Sequence, residues 1–168
     1  MKLRAASNQD RPAIERLVFG VLKEFGLSPD PGVSDADLRD IEAAYLRSGG
    51  MFDVLVSGAG EIVGSIGLYP VSKSTCELRK MYLDPSIRGQ GHGRRLLEHA
   101  LARARQLGFS RVTLETANVL KAAISLYEGY GFKEYTPDHK SCRCDRAYYL
   151  DLQHSTIKAP RAGCGGQS

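Results

Sequence analysis

The sequence predicts one α/β domain built on a mixed sheet with helices on its faces. Two observations carry this. Apolar residues recur at period two in some segments, as in Arg111-Val112-Thr113-Leu114, and at helical spacing in others, as in Leu96, Leu97, Ala100, Leu101 and Ala104. The segments run strand, two helices, three strands, helix, strand, helix, two strands, which is not a regular βα alternation. A length of 168 residues suits one domain with a sizeable core, and 42% apolar content argues against wholesale disorder.

In chain order, residues 2–6 read as a short strand. Asn8 or Asp10 can cap the next helix and Pro12 suits its first turn, with Ile14, Leu17, Val18, Val21 and Leu22 as the apolar stripe. Gly26 to Gly32, holding Pro29 and Pro31, is a loop. Residues 35–47 repeat the helical pattern through Leu38, Ile41, Ala44 and Tyr45, and Gly49-Gly50 ends it. Strands 51–56 and 61–69 flank a turn at Gly58–Gly60, and 75–83 is a longer, central strand. A helix over 91–106 closes at Gly108. Strand 111–116, a short helix over 119–129 and strands 132–136 and 146–152 complete a domain ending at residue 153. Residues 154–168 carry Pro160, Gly163, Gly165 and Gly166 with little apolar content, and are expected to form a disordered tail.

Composition excludes several functions. A net charge of +4 is modest, and Lys and Arg form neither a stripe nor a reading module, so no nucleic-acid partner is expected. No apolar run approaches the roughly 18 residues of a spanning helix, so no membrane partner is expected either. Cys142-x-Cys144 has no second pair at zinc-site spacing, and neither His99 nor His139 has metal-ligand company. Free thiols in a reducing, cytoplasmic compartment are expected, with a disulfide from Cys142 or Cys144 left open.

The chemistry concentrates in residues 76–98. An apolar-rich strand, Leu78 to Leu83, ends at Asp84-Pro85, and Arg88-Gly89-Gln90-Gly91-His92-Gly93 then opens a helix. Glycines let backbone approach a ligand closely, and the unpaired N–H groups of a helix start suit an anion, above all a phosphate or pyrophosphate. Arg88, Arg94 and Arg95 add counter-charge. No Lys-Ser or Lys-Thr follows the last glycine and the glycine spacing does not fit a dinucleotide fingerprint, so this is neither a Walker nor a Rossmann loop.

Arg88-x-x-Gly91-x-Gly93 resembles the pyrophosphate loop of the GCN5-related N-acetyltransferases (GNAT). Downstream, Ala123, Leu126-Tyr127 and Gly131-Phe132 are similar to the same family's second pattern, an alanine-containing helix, Leu-Tyr, then Gly-Phe opening a strand. The resemblance spans about residues 3–152 and is strongest from Glu77 to Phe132. It implies a mostly antiparallel central sheet, helices on both faces and a splayed central strand pair. It also implies acetyl-coenzyme A as cosubstrate, whose acetyl group passes to a primary amine by direct attack in a ternary complex. Backbone groups of Met81, Tyr82 and Leu83 would pair with the pantetheine arm. The pyrophosphate would rest on Gly89, Gln90, Gly91, His92 and Gly93, with charge from Arg88 and Arg94. Where many members have an asparagine this chain has Leu120, and Asn118, Lys121 or the first N–H groups of the helix are candidate replacements.

Acetyl transfer needs a neutral amine, a polarised thioester carbonyl and a proton for the departing thiolate. Glu77, on the central strand, is the leading base candidate and Glu115, on the neighbouring strand, the second. The resemblance implies that the Tyr127 hydroxyl faces the cofactor sulfur as general acid, and that the Met81 N–H holds the carbonyl oxygen. Phe25, Tyr69, Tyr82, His139 and Tyr148 are candidate walls for the acceptor, a small-molecule or peptide amine. The resemblance points as well to a homodimer paired through late strands. The alternative is a non-catalytic acyl-coenzyme A-binding or regulatory module. It gains if neither Glu77 nor Glu115 reaches the pocket and Tyr127 faces away from the sulfur.

Overall fold

The structure, a computed structural model, describes residues 1–153, so the expected tail lies outside the described residues. Seven strands form one sheet in the order β1-β2-β3-β4-β5-β7-β6. They are β1 (Lys2–Ala5), β2 (Met51–Val56), β3 (Ile62–Pro70), β4 (Thr75–Leu83), β5 (Arg111–Thr116), β6 (Lys133–Tyr135) and β7 (Arg146–Asp151). Every neighbouring pair is antiparallel except β4 and β5, which run parallel. The mixed, mostly antiparallel sheet read from the sequence is therefore the sheet observed.

Three longer helices cover it: α1 (Arg11–Glu24), α2 (His92–Gln106) and α3 (Lys121–Gly129). The apolar stripes expected for α1 and α2 are the faces they bury. Leu96, Leu97, Ala100 and Ala104 join Leu114 and Tyr127 in the core under α2 and α3. Ile14, Val18 and Leu22 join Phe52 and Tyr45 in a second core on the opposite face. α2 ends before Gly108, whose φ of +90° is the left-handed turn glycine adopts without strain. α3 starts at Lys121, two residues later than expected, because Ala117 to Leu120 form a turn closed by a 2.9 Å bond from the Leu120 N–H to the Ala117 carbonyl.

Two expectations fail locally. Asp10 precedes α1 but makes no cap bond to it, because its carboxylate is taken by Arg4 at 2.7 and 2.8 Å and by the Ser7 N–H at 2.9 Å. The helix expected over 35–47 is two short pieces, a tight 3-10 turn (Ala36–Asp40) and a wide π turn (Glu42–Leu46). Leu38, Ile41 and Tyr45 are buried as expected. The acidic residues at its start are drawn inward to basic partners on β4, and the backbone departs from a regular helix to deliver them.

β4 positions the site. It pairs with β5 only through Thr75–Arg111, Cys76–Val112 and Glu77–Thr113, and then the two strands part. Beyond Glu77 it keeps β3 on one side and has no β5 partner on the other. Buried peptide groups demand partners, so this splayed edge is a slot for an extended ligand. The slot opens directly onto the glycine loop.

Candidate active site

The splay is the wall of a cleft of about 580 Å³. Of the expected cofactor residues, Met81, Tyr82 and Leu83 line it from β4 and Arg88, Gly89 and Gly93 from the loop. Lys121 and Tyr127 line it from α3. Gln90, Gly91, His92, Arg94 and Asn118 lie outside this lining. Gly91 caps α2 at φ +83°, and a Cβ placed on it or on Gly89 would meet nothing within 4 Å. The loop therefore presents bare backbone and the start of a 15-residue helix to open space, which fits a pyrophosphate.

Arg88 is engaged. Its guanidinium pairs with Glu24 at 2.6 and 2.8 Å, and its Nε donates to the Leu83 carbonyl at 3.1 Å. It thus ties the loop to the end of α1 and to the splayed strand. On the far side of the cleft, the Asn118 side-chain oxygen accepts from Lys121 at 2.7 Å while its N–H donates to Asp145 at 2.7 Å. That places Lys121 on the cleft wall and Asn118 behind it.

The three expected catalytic residues all face the cleft. Tyr127 is 5% exposed and its hydroxyl donates to the Met81 sulfur at 3.7 Å. Burial, with Tyr82 nearby, pushes that hydroxyl well up, so it keeps its proton through the neutral range. The Glu77 carboxylate accepts from Arg79 at 2.9 Å, and Glu115 accepts from the Ser141 N–H at 3.0 Å. Two acidic groups and one protonated hydroxyl therefore surround the point where β4 leaves β5.

The expected acceptor walls divide. Phe25 and Tyr82 line the cleft. Tyr148 does not: it is 1% exposed inside the core, with its hydroxyl on Glu128 at 3.0 Å. Tyr69 packs on the second core under Arg79, and His139 lies outside the lining. Ser34, Arg79, Lys80, Ser141, Arg143 and Cys144 are walls that the sequence reading did not single out.

These walls hold a buried ionic cluster. Arg143 grips Asp35 with two bonds of 2.7 Å. Lys80 Nζ lies 3.1 Å from Asp35, 3.2 Å from Asp37 Oδ1 and 3.0 Å from the Ser34 carbonyl it donates to. Arg79 approaches Asp37 at 3.6 Å and lies over the Tyr69 ring, and the Tyr45 hydroxyl donates a hydrogen bond to Asp37. Burial pushes the Asp35 carboxyl up, but Arg143, the Asp30 peptide and Lys80 outweigh it and leave it at about 2. Lys80 itself has a φ of +54°, a left-handed angle that costs a lysine about 1 kcal/mol or more. The visible signal for all this is Arg79-Lys80, two adjacent cations inside a strand of otherwise alternating character.

Among the described residues no group of three or more His, Cys, Asp and Glu is placed to hold a metal, and no helix is long and apolar enough to cross a membrane. Cys76, Cys142 and Cys144 are free thiols, and burial pushes the Cys76 thiol up to about 12.

A central strand splayed from its parallel neighbour, a glycine loop at the end of the slot and a buried tyrosine beside it define a transferase for a donor with an extended arm and an anionic end. Comparison with known proteins agrees. Residues 20–132 match the acetyltransferase (GNAT) family. The uncharacterized N-acetyltransferase YjgM of Escherichia coli K12 is 42% identical over 136 residues, which cover 78% of this chain and 81% of that one. N-acetyltransferase family 8 member 2 of Rattus norvegicus is 35% identical over 130 residues, 74% of this chain but only 57% of the longer relative. The crystal structure of a GNAT-family acetyltransferase from Staphylococcus aureus Mu50 superposes with a TM-score of 0.84 at 25% identity, over 90% of this chain and 99% of that one. The chain belongs to the acetyltransferase (GNAT) family, enzymes that draw acetyl groups from acetyl-coenzyme A.

Proposed function

We propose that the protein transfers the acetyl group of acetyl-coenzyme A to a primary amine by direct attack, with both substrates held in the cleft at once. One observation carries the reading: the splayed edge of β4 runs from the glycine loop to a point flanked by Glu77, Glu115 and Tyr127. The donor's arm would lie along Met81 to Leu83, and its pyrophosphate would meet Gly89 to Gly93 and the start of α2. Arg88 would exchange or share Glu24 when the anion arrives. Asn118 acts in this reading through Lys121.

The residues divide the chemistry. The Met81 N–H polarises the carbonyl. Glu77, or Glu115 through water, takes the amine proton. Tyr127 holds a proton for the departing sulfur. That both glutamates reach the cleft and Tyr127 faces it supports turnover over mere binding. The free thiols support a reducing, cytoplasmic compartment. A homodimer through the late strands is the oligomer this reading proposes, and light scattering of the purified protein tests it.

The deciding test pairs calorimetry with an acceptor screen. Acetyl-coenzyme A should bind, and some amine among small molecules, amino acids and peptides should release free thiol from it. Absence of binding heat together with absence of thermal stabilisation sinks the reading. Binding with no turnover on any amine would favour the regulatory module.

A further inference from the structure

We propose that Lys80 is a positioning residue for acetyl transfer: its buried ammonium, gripped by Asp35, Asp37 and the Ser34 carbonyl, holds a bulge in β4 that turns Met81 toward the cleft. The inference rests on the acetyltransferase reading above and adds a device to it.

The register shows the bulge. Ser65 pairs with Tyr82 and Gly67 with Arg79, so Lys80 and Met81 together oppose the single residue Ile66. In a bulge whose first residue is left-handed, that residue is ordinarily glycine. Here it is lysine, and among the described residues Lys80 alone is a non-glycine with positive φ. A glycine would hold this angle without strain. The lysine brings what glycine lacks, a side chain 5% exposed that ends on two carboxylates and a carbonyl. The backbone is held from the other strand too, because the buried Ser65 hydroxyl donates to the Lys80 carbonyl at 2.6 Å.

The bulge resets which way the strand faces. Cys76 and Leu78 point into the core under α2 and α3. Arg79 and Lys80, although adjacent, both turn to the opposite side, where Asp37 meets them at 3.6 and 3.2 Å. Met81 and Leu83 then return to the α2–α3 side, and the Met81 sulfur accepts from Tyr127. In an unbulged strand Met81 would share the face of Arg79, away from Tyr127, because side chains alternate strictly. The extra residue therefore brings Met81 beside the candidate acid, and the lysine shell keeps it there. Asp35 is held in turn by Arg143 from the loop before β7, so the shell is stiffened from the acceptor side.

Steady-state kinetics and coenzyme A titration of three variants test this. Lys80→Met keeps the apolar stem and removes the charge, and kcat should fall about 10- to 100-fold with coenzyme A affinity within about twofold. A kcat near that of the wild type, or a loss of affinity as large as the loss of kcat, overturns the role. Full activity in Lys80→Gly would show that the backbone angle suffices alone, and overturns the role of the ammonium. Should Lys80→Met not fold, Asp37→Asn decides: it leaves the lysine in place and removes one carboxylate that holds its ammonium, so kcat should fall about 3- to 10-fold with the same split, and an unchanged kcat overturns the proposal. Failure of the underlying reading is distinct. A wild-type protein that binds no coenzyme A overturns both, whereas wild-type turnover with an unaffected Lys80→Met overturns the lysine's role alone.

Discussion

The two ends of the cleft are made of different material. The proposed donor end is local: a strand, a loop and a helix start within residues 78–95, presenting backbone N–H groups and, at Gly89 and Gly91, open space. The other end, where the acceptor is proposed to enter, is assembled from three distant segments, residues 30–37, β4 and the loop before β7, and is held by buried charge. A backbone site reads any ligand with the right shape and charge, and needs no particular side chain. An ionic site needs each partner present, and removing one strands the others in low dielectric.

That contrast can be broken by experiment. The largest effect should come from Asp35→Ala, which leaves Lys80 and Arg143 facing each other without their shared carboxylate. We expect a loss of about 3 to 5 kcal/mol in urea unfolding. A loss within about 1 kcal/mol would mean that water and Asp37 carry the cluster without it.

Tyr127→Phe should come next. Removing one general acid lowers kcat by about 100-fold, while coenzyme A affinity stays within about twofold. Equal turnover of mutant and wild type across the pH range would remove Tyr127 as the acid and leave it a core residue.

Acid unfolding sharpens the acceptor side further. The Asp35 carboxyl sits at about 2 in the folded protein against an ordinary 3.8. A depressed carboxylate stabilises the fold above its unfolded pKa, and that contribution is lost as pH falls through its folded value. The wild type should therefore lose roughly 2 kcal/mol more than Asp35→Asn between about pH 4 and pH 2. Parallel acid profiles would place the depressed group elsewhere.

The smallest effect belongs to the donor end. Glu24→Gln releases Arg88 from its exposed ion pair, and coenzyme A affinity should rise by less than about threefold, and more at low salt than at high. A decrease would show that Glu24 positions Arg88 for the anion and does not compete with it.

Legibility follows the same division. The loop and the Ala123, Leu126-Tyr127, Gly131-Phe132 pattern could be read because local sequence sets local backbone, and the helices and strands came out within a few residues for the same reason. Asp35 and Arg143 are 108 positions apart, and no period or spacing joins them. Asp35 and Asp37 looked like ordinary acidic residues opening an amphipathic helix, yet they turn inward, and the helix breaks into two short turns to let them. Tyr148 looked like a pocket wall because it is aromatic and late in the chain, but alternation in β7 puts it on the core face with Leu114, its partner across β5. Arg79-Lys80 was the one local sign of the buried shell, since Lys80 falls where the alternation of Cys76 and Leu78 calls for a buried apolar residue.

Three residue pairs, with the Ser74 carbonyl just before them accepting from the Ser110 and Arg111 N–H groups, make the short seam between β4 and β5 among the described residues. A molecule seamed so lightly has a natural crease. On the proposed reading the acyl donor would lie along that crease as an eighth strand, pairing with the edge that β5 leaves free. Hydrogen exchange at Met81 to Leu83 should then follow the filling and emptying of the slot, slow while the donor is bound and fast once it has left.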